Sequence, residues 1–544
     1  MRSKDSPEAP VITLTPLFSS RISEILPGDI LELICDNSDF MLPEEAVTQD
    51  VSDELFSSYP VPLPEQEASR ATRGLPQQCT STSTSFNIPL QKHRKNQTTL
   101  AMSQVCRSWR QRLISMKCLW RVIAFDVSSE PASIRLATLF LTSKCDNVLI
   151  HVYAGFPLNN LVDPAAVSLL LSLRDRMGRW ERFIYWGRLG QYRRYLDLPA
   201  PRLRWFSDNR DLSHLYYGRK SLLFSGHTPI LRCLVTSTLG EWAPGTLANL
   251  NVLHVRVCDA NLSIRSLLDV LRCTSLLEEF KFASPATLPH DCLACGTIDL
   301  PYLRFIRLFN PHFRTILAHL GIPNVRSVEV SSVSSNAAAG LEVGPVFQAP
   351  HPLTGFPSVP MLNQPIRFIF FAVQRSPTRF SLNIDLRTGD GASIVFNLSW
   401  IDGQEINQWK SYFERSVSAL AEVQISLCSV LSVIAEFPFD YTPLLLLPAV
   451  RILAFAGDFR TLLQVLTNHY GDNDVSILPA LKCLFAFEEV LTEVTARLIP
   501  PCLRVRTDLV IVLNGVNRTR LVEVLGPDYV ISGEYVFLST NTRS

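Results

Sequence analysis

Cys292 and Cys295, with His290 and Asp291 immediately upstream, form a C-x-x-C, the spacing of half a zinc site or of a redox pair. A structural zinc site needs four ligands, and the nearest other cysteine, Cys273, stands alone. The pair therefore reads as buried or loop thiols. Gly389-Asp390-Gly391 is a lone G-x-G, better suited to a hairpin turn after a strand at Leu382–Leu386 than to cradling a phosphate. No Walker sequence, G-x-S-x-G or H-E-x-x-H occurs, and the ten histidines are scattered. The stretch WERFIYWGRLGQYRRY, residues 180–195, mixes aromatic and basic side chains as nucleic-acid surfaces do. Its apolar alternation favours a strand followed by a basic loop. Nothing in these residues builds a catalytic centre, so the sequence predicts a non-enzymatic chain with no cofactor and no metal.

The bulk numbers agree. Hydrophobic residues make up 47% of 544 and charged ones 19%, the balance of a core-rich fold. Single cores stop growing near about 250–300 residues, so two or three packed units or one extended body are expected. A formal net charge of +1 gives no general attraction to nucleic acid or to an anionic membrane. The start, MRSKDSPEAP, carries no apolar run of the signal-peptide kind. The most apolar stretch, Val430–Val450, is broken by Glu436, Pro438, Asp440 and Pro443. An intracellular chain, in cytoplasm or nucleus, with its 13 cysteines reduced, follows as an expectation.

Two short segments near the N-terminus carry interlocking helical patterns. Leu26-Pro27-Gly28-Asp29-Ile30-Leu31-Glu32-Leu33-Ile34 places Pro27 where a helix begins, and Ile30, Leu31 and Ile34 on one face. In Thr99–Met116, Met102, Val105, Cys106, Trp109 and Leu113 form one helical stripe, opposite Arg107, Arg110 and Arg112. Leu119-Trp120-Arg121-Val122-Ile123 follows. Helices this short do not persist alone, so each apolar face needs a partner.

Together, Leu-Pro-x-x-Ile-Leu, Val-Cys-Arg-x-Trp-Arg and Leu-Trp-x-x-Ile resemble an F-box of the type abundant in fungi. The resemblance covers Ile25–Asn37 and Leu100–Ile123. It implies docking to the Skp-type linker subunit of a cullin (SCF) ubiquitin ligase through Leu26, Pro27, Ile30, Leu31, Ile34, Val105, Trp109 and Trp120. The chain departs from the family in one respect: about sixty residues separate the two segments, where the family has a short connection. Doubling a loop costs only about 0.6 kcal/mol, so the module survives such an insert.

The rest of the chain carries a recurring phrase, Leu/Ile-Pro-x-apolar-x-x-apolar-x-apolar. It appears at Leu300–Leu308, Ile322–Val330, Leu447–Phe455 and Leu478–Ala486, without proline at Leu247–Val255, and more loosely from Leu198-Pro199 to Trp205. Proline ends a helix and sets an extended approach; apolar-x-apolar puts two side chains on one strand face. Helix-like stretches, Ser266–Leu271 and Arg460–His469, lie between occurrences. Strand plus helix, repeated, is the plan of leucine-rich repeats, here degenerate and unevenly spaced. An irregular mixed α/β body is the alternative.

The expected fold is therefore α+β or α/β: a short helical F-box followed by an irregular leucine-rich-repeat-like solenoid. Its expected parts are a disordered tail at 1–20 and the helical module at 21–126, interrupted by a disordered insert at 41–97. The two halves of the body follow at 127–332 and 366–544, joined by a linker or long loop at 333–365. The expected function is a substrate-recruiting SCF adaptor with an unidentified protein target. The alternative is an interaction scaffold of the same fold without ligase docking.

Overall fold

The computed structural model describes residues 107, 111, 115, 121–126, 134–135, 137–138, 141, 148–156, 164–187, 190–209, 222–240, 242–256, 262–284, 296–310, 313–334, 365–376, 379–401, 428–435, 447–468, 477–487, 492–514, 523–525, 530–531 and 536–538. The chain divides into two compact units, Met1–Thr246 and Leu247–Ser544. The opening helix expected near Leu26, the insert at 41–97, the Cys292/Cys295 pair and most of the expected linker lie outside the described residues. Of the helix expected at Thr99–Met116, Arg107, Gln111 and Ser115 are described; all three are helical and exposed.

The first unit contains strands β1 (Val122–Asp126), β2 (Ile150–Gly155), β3 (Trp180–Trp186), β4 (Trp205–Asn209) and β5 (Cys233–Thr236). They pair in chain order and all in parallel. Helix α1 (Pro164–Arg174) lies between β2 and β3. The 180–195 stretch is strand β3 followed by a 3₁₀ turn at Gly190–Tyr195. The core is aromatic: Phe183, Phe206 and Phe224 are fully buried, and Trp180 stacks on Phe183 at 4.9 Å between centroids. Helix α2 (Pro244–Leu247) falls where the chain passes into the second unit.

The second unit holds β6 (Val252–Arg256), α3 (Ile264–Arg272), β7 (Glu279–Ala283), β8 (Ile298–Asp299), β9 (Phe305–Phe309), α4 (Phe313–Ala318), β10 (Leu320–Gly321) and β11 (Ser327–Ser334). A three-strand meander follows: β12 (Ile366–Ser376), β13 (Arg379–Thr388) and β14 (Ser393–Ile401). Then come β15 (Val430–Ala435), β16 (Ile452–Ala456), α5 (Phe459–Asn468), β17 (Cys483–Phe487), α6 (Glu493–Ala496), α7 (Ile499–Val505), β18 (Val510–Asn514), β19 (Val530–Ile531) and β20 (Val536–Leu538). The pairing order is β6-β7-β9-β11-β14-β13-β12-β15-β16-β17-β18-β20-β19. The meander is inserted in reverse, so β14 meets β11 and β12 meets β15. From β6 to β18 only β13 runs against the others. The β13–β14 hairpin turns at Gly389–Gly391, as its sequence predicts: Gly391 has φ +86°, a region glycine enters without a Cβ clash, and Thr388 N–H donates to Ala392 O at 2.9 Å. Strands β8 and β10 pair separately in a small parallel sheet.

The repeated phrase folds the same way wherever it is described. Its first four residues make a turn whose last N–H donates to its first C=O: Leu303 to Leu300, Val325 to Ile322 and Leu481 to Leu478, at 3.1–3.4 Å. Proline, with its fixed φ, suits the second position. The first and fourth side chains are buried, and the strand's two core positions follow them. Leu303, Ile306 and Leu308 are sealed from water, as are Leu250, Leu253 and Val255. The same turn links Ala200 to Leu203 and Thr228 to Leu231. The turn proline in the first of these is Pro201, not the Pro199 that the looser reading selected. The Thr228-Pro229 copy ends on Thr236 instead of a hydrocarbon and so escaped the apolar pattern.

Helices supply a second repeated element. Ala166, Leu169, Leu170 and Leu173 in α1 are buried at offsets 0, 3, 4 and 7. Ile264, Leu267, Leu268 and Leu271 in α3 repeat those offsets, as do Phe459, Leu462, Leu463 and Leu466 in α5. This is one stripe of an amphipathic helix. The starts are capped: Ser263 Oγ accepts from Ser266 N–H at 3.1 Å, and Asp458 Oδ1 accepts from Thr461 N–H at 3.2 Å. No helix among the described residues is long and apolar enough to cross a membrane.

Core ladders then run across the strands. In the second unit Leu253, Phe280, Ile306, Val328 and Ile394 are successive register partners, all buried. Beyond the meander the equivalent row is Ile369, Leu431, Leu453, Leu484 and Ile511. Leu303→Ala should cost about 2–5 kcal/mol, a cavity in a fully sealed layer. Pro301→Ala, two positions earlier, should cost only about 0.4–1 kcal/mol, since proline there mainly restricts the unfolded chain. Urea unfolding followed by far-UV dichroism reads both, and equal losses would contradict this division of roles.

Candidate functional site

Parallel neighbours need a crossover, and right-handed crossovers between strands laid down in chain order all fall on one face of a sheet. The strand residues that alternate with the core point the other way. Charge concentrates on that opposite face.

In the first unit the feature is an Arg–His–Glu group at the strand entries. The β2–β3 register shifts between Ile150 and His151, so His151 pairs with Arg182 and Glu181 is left over as a bulge. Bulged residues re-aim their side chains. Glu181 Oε2 accepts from Arg121 Nη2 at 3.0 Å and contacts His151 Nε2 at 3.0 Å; Arg204 lies 3.8 Å from Oε1. Arg121 also meets the His151 ring directly. Burial, then the Arg121 charge, pull the His151 pKa down to about 4, against the pull of Glu181. The imidazole is therefore neutral at pH 7. Its contact with Glu181 is a hydrogen bond, and Arg121 is the carboxylate's ionic partner. Burial alone would raise the Glu181 pKa; His151 and then Arg121 outweigh it and hold it low. Beyond this group the face turns apolar, with Ala124, Tyr153, Ile184 and Trp186 in one buried cluster and Tyr153 stacked on Trp186.

In the second unit a charged lane crosses the strands. His254, Lys281, Arg307, Glu329 and Val395 are register partners on β6, β7, β9, β11 and β14. Glu279 Oε1 takes both His254 Nε2, at 2.8 Å, and Lys281 Nζ, at 3.1 Å. The Lys281 ammonium also stands 5.3 Å from the centre of the Phe305 ring, within cation–π reach. Arg307 Nη2 meets Glu329 Oε1 at 3.1 Å, and Asn397 Nδ2 reaches the same oxygen at 3.4 Å. Burial works to raise the Glu279 pKa, but the His254 contact, followed by Lys281, overrides it and brings the carboxyl down to about 2. Two residues past His254, Arg256 is 7% exposed, and its Nε has no hydrogen-bond partner.

Neither group pairs a nucleophile with a base. Among the described residues no cluster of three or more His, Cys, Asp or Glu side chains is placed to hold a metal ion. Burial pushes the Cys428 thiol up to about 12 and raises that of Cys502 as well, which keeps both protonated and unreactive. What the arrangement does is hold oriented charge on the face of a sheet. No protein-family model matches the chain and no curated protein matches its sequence.

The docking residues read from the sequence, Leu26, Pro27, Ile30, Leu31, Ile34, Val105, Trp109 and Trp120, all lie outside the described residues. The charged lane went unread in the sequence, although a signal was present. Aligning the repeated phrase from Leu250, Leu303 and Val325 stacks His254, Arg307 and Glu329 in one column, between two columns that are always hydrocarbon.

Two pH effects follow. Glu279→Gln should cost about 1–2 kcal/mol at pH 7, the shift being discounted for the carboxylate's one-third exposure. A depressed carboxyl stabilises the fold above its unfolded value of 4.5, and this is lost as pH falls toward about 2, so variant and parent should converge there. His151 acts in a separate window. Between 6.5 and about 4 the unfolded chain takes up a proton that the buried ring refuses, so stability should fall as pH drops through that range. His151→Gln should remove that slope. Urea midpoints measured from pH 2 to pH 8 check both, and an unchanged slope in the His151 variant would refute the buried neutral ring.

Proposed function

We propose that the chain is a substrate-recruiting adaptor of an SCF-type cullin ubiquitin ligase. Its body is read as an irregular solenoid of leucine-rich-repeat type. The observation that carries the reading is a set of recurring parts, joined in full from α5 to β17: a helix buried at offsets 0, 3, 4 and 7, a Leu-Pro-x-Leu turn, and a strand added in parallel to the last. Units of this kind bury hydrocarbon on one side and leave the other side of every strand free to vary, which suits recognition of a protein. The charged lane occupies that variable side.

The docking half of the reading rests on the resemblance of the two N-terminal segments to an F-box. Arg107, Gln111 and Ser115, four residues apart and exposed, define one face of a helix. In the sequence pattern, Val105 and Trp109 fall out of phase with those three residues. An adaptor of this design makes and breaks no bond; it raises the effective concentration of a target beside the ubiquitin-loaded enzyme.

Co-expression with a Skp-type linker tests the reading. The full chain should capture the linker, and Trp109→Ala should abolish capture, because truncating a buried or interface tryptophan costs about 3–5 kcal/mol. Far-UV dichroism of the variant should keep the strand signal of the body. No capture by the unmodified chain would leave the repeat-built body as an interaction scaffold and overturn the ligase assignment.

A further inference from the structure

Arg256 breaks the rule that the rest of its lane obeys. It sits at the end of β6, on the same side of the strand as His254 and directly beside Ala283. Water reaches 7% of its surface, and its Nε is sealed from solvent without a partner. Among the described residues the guanidinium has no hydrogen-bond or ion-pair partner. The carboxylates of the lane are already engaged: Glu279 holds His254 and Lys281, and Glu329 holds Arg307 and Asn397. In the row beside Arg256, Lys281 and Arg307 each meet a carboxylate, so the charge of Arg256 itself is left unbalanced there, while Ala283 and, one strand further, Phe309 bring no polar side chain to it. A guanidinium taken out of water without an anion is costly, and the cost falls when a carboxylate or phosphate binds its planar fork.

We propose that Arg256, the unbalanced charge of its lane, is the anchor for an anionic side chain of a protein ligand that lies across β6, β7 and β9. The shared chemistry is a planar or tetrahedral oxyanion that accepts two parallel N–H bonds. This inference rests on the reading of the sheet as a target-binding surface and names the charge of what it binds. It does not depend on ligase docking.

The test uses the full chain and three fluorescein-labelled decapeptides: all glutamate, all glutamine, and glutamate with two phosphoserines. Fluorescence anisotropy should show binding of the acidic peptides over the glutamine one, weakening with added salt. Arg256→Met should lower that affinity at least about tenfold, the loss expected when one partner of a buried charge pair is removed. Whichever acidic peptide binds more tightly, with its binding lost in the variant, distinguishes carboxylate from phosphate. A second readout guards against misfolding. Removing an unpaired buried charge should raise the thermal midpoint of Arg256→Met in the absence of peptide, whereas the parent alone should be stabilised by saturating peptide. Equal peptide binding by parent and variant would overturn the proposal. So would no preference for acid over glutamine, Arg256-dependent binding of single-stranded RNA in place of peptide, or a variant less stable than the parent. Trp109→Ala should leave the anisotropy unchanged, which separates failure here from failure of linker capture.

Discussion

A strand can pair in parallel with its predecessor only after the chain has been carried back to its starting end, and everything in this structure follows from how that return is made. The return must bury a helix, stop it, and re-enter the sheet at a fixed register. Here the stop and the re-entry are one object: a four-residue turn with two buried ends, closed by a single backbone hydrogen bond. One carbonyl then accepts two successive amides from the incoming strand, as Arg304 O does from Arg326 and Ser327 and Arg451 O from Lys482 and Cys483. A one-residue slip would turn each core row toward the charged face, so buried leucine at the turn fixes register as much as it adds hydrophobic stabilisation.

That mechanism explains which parts of the fold were legible. The Pro-containing phrases at 300, 322, 447 and 478 carry turn and strand in the same nine residues, and all four fold as read. The helices at 264 and 459 were visible as apolar stripes. Two features were not legible, for physical reasons. The Thr228-Pro229 copy satisfies its inner position with Thr236, which a search for hydrocarbon passes over. The reversed meander has strands with ordinary alternation, but nothing in alternation says that β14, the last of the three, returns to β11. That pairing is a non-local contact between residues such as Val328 and Ile394, and local pattern carries no record of it. The charged lane was half legible: its column appears once the phrases are aligned, yet its pairings depend on which strands become neighbours.

The two charged groups are built to different ends. At the entry of β2 and β3 a bulge brings one carboxylate to the Arg121 guanidinium and one imidazole, with Arg204 at 3.8 Å, and burial keeps the imidazole neutral. The carboxylate is fully engaged there, and the group ties the first strands to one another. Across β6 to β14, Lys281 and Arg307 each meet one carboxylate, His254 shares Glu279 with Lys281, and among the described residues the Arg256 Nε is left without a partner.

A natural sequence that satisfies local rules almost everywhere shows its purpose where it violates one. Replacing Arg256 with a hydrocarbon of similar length would relieve a buried charge without disturbing the adjacent Leu253 and Val255 layer, so packing gives no reason for arginine at this site. The strand needs only a side chain that fits a buried position next to Ala283. A long, permanently charged, planar donor exceeds that need, and it stands beside cations whose carboxylate partners are already taken. Stability argues against the residue and recognition argues for it, which is why the end of β6 is the place on this sheet where binding chemistry and folding chemistry can be told apart.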